Sequence, residues 1–426
     1  MTKHSSAPRR HVRSLRAFAA TGVLALAGPV LADSSGDKYE APHRVELIPV
    51  QPLRTEPAPA SMHESYSTPQ TSITWGGFVK VDGIFSDFDK GDALVATGRD
   101  FFVPASIPVG SADNHEASLD AHAKETRLFI KSETDFGGGV KVGGYVEFDF
   151  LVSQGTGTAA VTNAYNLGLR RAYITYGNWL VGQDWTTFQD LAALPEGLDF
   201  IGPTEGTVFN RQPLLRYTTG PWAVALENPE TSVLPNAGDA AALSNDNIIP
   251  DLVVRYTFKS DWGQVSVAGL ARQLRSRVAP VSDEVIGGGV SVMGKIPVLG
   301  QDDVRFSIAS GEGIGRYVGI NTLADAVVLP DNQLDAIGLT GGYVAYHHPW
   351  NEEWRSNLTV SALVADTTSA MGGATTHKVT SARASLLYSP VPKLTFGVEV
   401  MRAERQASSG LDGALNRVQA SAKYAF

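Results

Sequence analysis

The chain has 426 residues, no cysteine, 43% hydrophobic residues and a formal charge of −9. Without cysteine there is no disulfide framework, thiol chemistry or Cys-ligated metal. The acidic balance argues against a general binder of nucleic acid or anionic membranes.

The first 32 residues read as a cleaved signal peptide. Lys3, Arg9, Arg10, Arg13 and Arg16 form a basic start, Ala17 to Leu26 a short apolar stretch, and Val30-Leu31-Ala32 a small-residue cleavage site. The apolar run is shorter than the about 20 residues a spanning helix needs. Removal takes five cations and no acid from −9, leaving −14. Residues 33–72 read as a Pro-rich linker, because Pro42, Pro49, Pro52, Pro57, Pro59 and Pro69 interrupt every periodic run.

From residue 73 to 426 the pattern is all-β. Sixteen strand-like runs are expected near 73–85, 124–134, 139–152, 168–177, 179–185, 208–218, 221–228, 249–258, 262–275, 285–294, 301–310, 336–346, 353–365, 378–388, 392–403 and 414–426. Many match the about 9–11 residues of a tilted membrane strand. Connections alternate long and short. Gly177-Asn178, Thr219-Gly220 and Ser260-Asp261 are short and carry turn chemistry, whereas 86–123, 186–207, 229–248 and 311–335 are long. Short periplasmic turns and long outer loops give that asymmetry in a transmembrane antiparallel β-barrel.

The faces agree with this. In the last run Val418, Ala420, Ala422, Tyr424 and Phe426 fall outward, and Arg417, Gln419, Ser421 and Lys423 inward. Trp75, Tyr176, Trp179, Trp222, Trp262, Trp354, Tyr388 and Tyr424 gather beside short turns, where an interfacial girdle belongs. A soluble, exported β protein would also alternate, and detergent-only extraction separates the two.

The inward phase is basic along much of the wall: Arg127, Lys131, Arg171, Arg216, Arg255, Arg272, Arg305, Arg355 and Arg383. Asp82, Glu147, Asp149 and Glu399 form an acidic inward section. Such opposed charges set a transverse field across a narrow pore, or stiffen the wall as salt bridges. The segment Phe188 to Asn210 carries Leu191, Leu194, Leu198, Phe200 and Ile201, too apolar for a loop in water. It is expected to fold into the barrel as a constriction bearing Asp190, Glu196, Asp199, Phe200 and Glu205.

Gly168-Leu169-Arg170-Arg171-Ala172-Tyr173, Trp179 to Phe188, Pro195 to Phe200, Arg211-Gln212-Pro213-Leu214-Leu215-Arg216-Tyr217 and Leu226 to Thr231 together resemble the DcaP-like porins of Gram-negative bacteria. The resemblance implies a trimeric sixteen-stranded outer-membrane channel. Its basic constriction would pass small anionic solutes such as dicarboxylates, with Arg171, Arg211 and Arg216 carried over to the channel. Many members have a coiled coil before the barrel, where this chain has the Pro-rich linker.

No catalytic constellation, cofactor or metal is expected. His347-His348 lack acid partners in the sequence, and Gly311-Glu312-Gly313-Ile314-Gly315 follows a strand with no helix after it. The expectation is a passive porin in the Gram-negative outer membrane, reached through the signal peptide. Its partners would be copies of itself in a homotrimer, outer-membrane lipid, lipopolysaccharide and small anions, and no nucleic acid. An outer-membrane barrel enzyme or an adhesion barrel is the alternative.

Overall fold

The computed structural model describes residues 70–151, 161–235, 241–244, 246–277 and 281–426. The expected signal peptide, and all but the last three residues of the expected linker, lie outside the described residues. Strand β1 (Gln70–Phe88) is followed by a one-turn helix α1 (Thr97–Asp100), then β2 (Glu116–His122), β3 (Arg127–Asp135), β4 (Lys141–Asp149), β5 (Gly168–Tyr176) and β6 (Trp179–Trp185). Next come β7 (Arg211–Thr219), β8 (Trp222–Glu227), β9 (Thr231–Leu234), β10 (Ala242–Ser244), β11 (Asp251–Ser260), β12 (Gly263–Ser276), β13 (Asp283–Pro297) and β14 (Asp303–Glu312). The chain ends with β15 (Ala326–Val328), β16 (Leu334–Ala336), β17 (Gly338–Pro349), β18 (Trp354–Ala365), β19 (Thr376–Val391), β20 (Leu394–Ala407) and β21 (Asp412–Ala425).

Seventeen of these strands form one antiparallel sheet that closes on itself, because β1 pairs with β21 from Phe78↔Ala425 to Phe88↔Leu415. β2 and β3 share one wall position. β2 pairs with the upper part of β1 (Asp82↔His122 to Phe88↔Glu116), and β3 with the lower part (Gln70↔Asp135 to Phe78↔Arg127). The wall therefore has sixteen positions, and each expected run occupies one. The break at 123–126 lets Glu125 reach Lys80 Nζ at 2.7 Å from inside the wall. Closure pairs the ladder groups that hydrocarbon could not satisfy. The short turns use glycine where the backbone needs positive φ, at Gly177 (54°) and Gly220 (53°).

The outer face carries the exposed apolar side chains: Val79, Val81 and Phe85 on β1, Leu358 and Val360 on β18, Val398 and Val400 on β20. Trp179 packs tilted against Tyr217 and Trp354 stacks on Tyr388 beside the short turns, at centroid separations of 4.8 and 4.5 Å. Gly177, Gly220 and their neighbours thus mark the end of the barrel that bears the aromatic girdle.

The long-loop end was not legible in the sequence. Two connections build a second, four-stranded sheet in the order β10-β9-β15-β16. Its β15–β9 pairing is parallel. Beneath it lies an apolar core in which Tyr317, Val318, Leu323 and Val327 from the loop pack against Val253, Leu270, Leu339 and Leu363 of the wall. A further cluster joins Phe88, Phe102 and Ile107 to Val379, Met401 and Leu415.

Candidate functional site

The arginines of the middle wall are placed by a bulge. The β4–β5 register shifts between Glu147 and Phe148, which pair with Arg171 and Leu169. Arg170 is the extra residue, so Arg170 and Arg171 both turn to the inner face. Arg170 Nε donates to Glu147 Oε1 at 2.8 Å, and its Nη1 to Asp149. Arg127 Nη2 approaches the same Asp149 carboxylate at 3.4 Å. Arg171 Nε donates to Asp184 Oδ1 at 2.7 Å, and Arg216 Nη1 to Asp184 Oδ2 at 3.0 Å. One buried carboxylate thus bridges two guanidinium groups, which matches the two-oxygen geometry of such forks. Among the described residues, Arg211 has no carboxylate within bonding distance. It lies over Trp185 (5.0 Å) and Phe209 (5.5 Å), and its Nη1 has no hydrogen-bond partner. Arg170 was absent from the expected set. Its signal was the Arg-Arg dipeptide itself, since two adjacent charges violate strict alternation.

The remaining expected basic residues divide by height. Arg255 donates to the carbonyls of Thr187 and Gln189. Arg305 binds Asp303 Oδ1 and the Leu194 carbonyl, both at 2.7 Å. Arg355 grips Glu196 in a bidentate pair at 2.8 and 2.6 Å. Lys131 stands exposed, 3.7 Å from Glu133. Arg383 and Arg272 are different. Arg383 is buried 3.4 Å from Glu399. Arg272 has a side chain with 0% exposure, between Asp325 at 2.9 Å and Asp251 at 3.3 Å. It also binds the carbonyls of Gly313 and Glu230. The expectation that Arg272 lines the channel is therefore corrected: the loop carrying Asp325 seals it off. Among the acids, Asp82 is buried against Lys80 (3.1 Å) and Gln419 (2.9 Å), and Glu399 accepts from the Leu198 amide at 3.0 Å.

Residues 186–210 touch inward-facing groups all round the wall. Asp190 accepts from Ser266 (2.6 Å) and Gln264 (2.5 Å) of β12. The Phe188 carbonyl accepts from Ser291 of β13, and the Ala193 carbonyl from Tyr343 of β17. The Leu198 carbonyl accepts from Lys80 of β1 at 2.6 Å and from Gln419 of β21. Asp199 caps the amides of Phe102, Ile201 and Gly202, at 2.7, 3.2 and 3.1 Å. Phe200 lies 5.5 Å from Phe101. At the short-turn end, a cavity of about 620 Å³ is lined by Asp190, Arg255, Gln264 and Lys259.

Two acids of this segment titrate in opposite directions. Burial works to raise Glu196, but the hydrogen bond and charge of Arg355 outweigh it and hold the carboxyl below its ordinary value. Burial pushes Glu205 up, opposed by Arg383, Ser381 and Ser361, and neither carboxylate oxygen makes a well-formed hydrogen bond. For a carboxyl raised on folding, the folded state holds the proton more tightly than the unfolded state. Its stabilising effect is complete below the unfolded value of about 4.3. The effect is lost as pH rises through the raised folded value. Glu205→Gln mimics the protonated form. It is expected to raise the unfolding midpoint near neutral pH and to flatten the fall of that midpoint as pH rises above the unfolded value of about 4.3. A midpoint that falls at neutral pH would show that the charge itself is needed.

Among the described residues no cluster of three or more His, Cys, Asp or Glu suits a metal. His348 pairs with Asp302 at 2.8 Å and His347 with Asn357 at 2.7 Å, both beside the short turns.

A closed sixteen-position barrel of this kind has known counterparts. The family model described as DcaP outer membrane protein matches residues 57–426. The crystal structure of the outer membrane channel DcaP of Acinetobacter baumannii is 26% identical, with a TM-score of 0.70, covering 84% of this chain and 97% of that one. The anion-selective porin from Comamonas acidovorans shares the fold at 11% identity and a TM-score of 0.52, covering 84% and 100%. OmpT of Vibrio cholerae in its trimer form shares it at 12% identity and a TM-score of 0.50, covering 84% and 99%. Comparison with curated protein sequences finds no match. The match over most of its length, together with the closed barrel, shows that this chain belongs to the DcaP outer membrane protein family and is a porin-type channel of the Gram-negative outer membrane.

Proposed function

We propose that the protein is a passive, anion-preferring channel for small carboxylates, narrowed by residues 186–210 and working as a homotrimer without catalysis. The observation that carries this is an asymmetry of exposure. Arg127 keeps 23% of its side chain exposed while Asp149 keeps 3%, and Arg216 keeps 14% against 4% for Asp184. The acids are buried as counter-ions, and the guanidinium groups face the remaining space. A partly desolvated passage screens their field less than bulk water does, and a planar fork suits a carboxylate. Support for the trimer comes from the family resemblance and from the trimeric OmpT relative.

The test is a reversal potential in a KCl gradient, expected to show anion preference that weakens toward about 1 M salt, where the screening length is about 3 Å. Arg171→Ala with Arg216→Ala should lower that preference and leave Asp184 buried and unpaired. Adding Asp184→Asn should then recover stability, because the orphaned charge is gone, without recovering the preference. Cation preference in the unmodified protein, or an unchanged preference in the triple variant, would remove these arginines from the selectivity mechanism.

A further inference from the structure

We propose that the long-loop half of the lumen contains an apolar gate, formed where four chain segments meet, and that conduction requires them to part. This rests on the channel itself and not on the proposed anion preference.

Phe101 comes from the β1–β2 connection, Leu151 from the chain just after β4, and Phe200 and Phe209 from the β6–β7 connection. Ile320 comes from the β14–β17 connection. All five, with Val103, pack in one cluster. Phe101 lies 5.5 Å from Phe200, Phe200 lies 5.8 Å from Phe209, and Phe209 lies 4.9 Å from Trp185 of β6. No two neighbouring strands supply this cluster. It exists only while every contributing connection lies inside the barrel.

The wall braces the cluster from one side. Arg170 lies over Phe200 at 5.3 Å and Arg211 over Phe209 at 5.5 Å. These are cation–π contacts, which hold a ring in place without a covalent or ionic tether. Beside them on the wall, Arg127 and Arg171 retain partial exposure. Above them, Arg272, Arg405 and Arg417 are buried. The cluster therefore lies between partly exposed arginines of the mid-wall and buried ones nearer the long loops. An apolar constriction at such a boundary opposes ion passage by excluding water.

The backbone at the same place is strained. Ile320 adopts φ 48° and ψ 49°, within a turn from Gly319 to Asn321. A β-branched residue in the left-handed region is an outlier that persists only where its surroundings impose it. Parting the cluster removes that imposition, so the turn can relax when the gate opens. The frame around Arg272 has a different character. It is a hydrogen-bonded sheet with a buried ion network, and it forms the fixed part against which the gate closes.

Single-channel recording in planar bilayers tests this with Phe101→Ala combined with Phe200→Ala. Folding is checked by heat-modifiable migration on gels. The gate predicts that the wild type shows long closed dwells. The double variant should lose them and raise mean conductance roughly twofold or more, with the reversal potential unchanged. Leu274→Ala combined with Leu334→Ala, which removes bulk from the fixed part, should leave both dwell times and conductance as they were. Should the double variant not fold, Phe200→Ser carries the same comparison by wetting the cluster. Equal dwell times and equal conductance in wild type and folded variant would overturn the gate. So would a change confined to the reversal potential, which would make these rings part of the selectivity path instead.

Discussion

Replacing Arg272 with alanine is expected to free the β14–β17 connection from the barrel wall. The guanidinium lies between Asp251 of β11 and Asp325 of the connection, with neither partner exposed. Asp325 also holds the Ser232 and Arg316 amides at 2.8 and 2.9 Å, so one ionic centre ties two loops to the wall. Removing one member of a buried pair leaves uncompensated charge, at a cost of about 3–5 kcal/mol. The barrel keeps its ladders, so the loss should be local. Proteolytic cleavage of residues 313–337 should accelerate by about 100-fold or more. The reversal potential should stay constant, because Arg272 does not reach the open space. Asp251→Asn with Asp325→Asn in the Arg272→Ala background should restore much of the protection. An altered ion preference in the single variant would place Arg272 back in the channel.

Deleting residues 188–207 is expected to give the largest change in conductance. The cut ends are adjacent, since the Thr186 amide bonds the Asn210 carbonyl at 3.0 Å, so a short Gly-containing join can close the chain. The deleted segment crosses from β6 to inward groups on β1, β13, β17 and β21. Its loss should raise conductance by roughly twofold or more, since a barrel of this size otherwise leaves an aqueous channel. The segment holds Asp190, Glu196, Asp199 and Glu205 and no Lys or Arg. The deletion also releases Arg305 and Arg355 from the Leu194 carbonyl and Glu196. Anion preference should therefore survive the widening. Unchanged conductance in a folded deletion variant would mean that the segment does not set the width. A collapse of preference would mean that width, not wall charge, produces selectivity.

The two expectations draw on different kinds of contact. Arg272 acts through desolvated charge, where a single missing partner is costly. The 188–207 segment is proposed to act through occupied space, and several of its contacts to the wall are backbone carbonyls accepting from Lys80, Ser291, Tyr343 and Arg305.

The sequence by itself determined the wall. Strand position, inward and outward phase and turn placement follow from alternation of period two and from Gly, Asn and Pro at the short turns, all of which are local. Val398 and Val400 outward with Glu399 inward is one example, and the structure keeps that phase. The family was also legible, through a run of motifs between Gly168 and Thr231. Tertiary structure alone decided the interior above the mid-wall. The parallel β9–β15 pairing and the apolar cluster of Phe101, Phe200 and Phe209 join residues about a hundred positions apart in the chain, and no periodicity encodes them. Alternation could place Arg272 and Arg216 on the same face. It could not tell that Asp325 would arrive from a distant loop to seal the first, while the second stays partly open beside Asp184. Phase is a property of one strand, but exposure depends on which other segment fills the space in front of it.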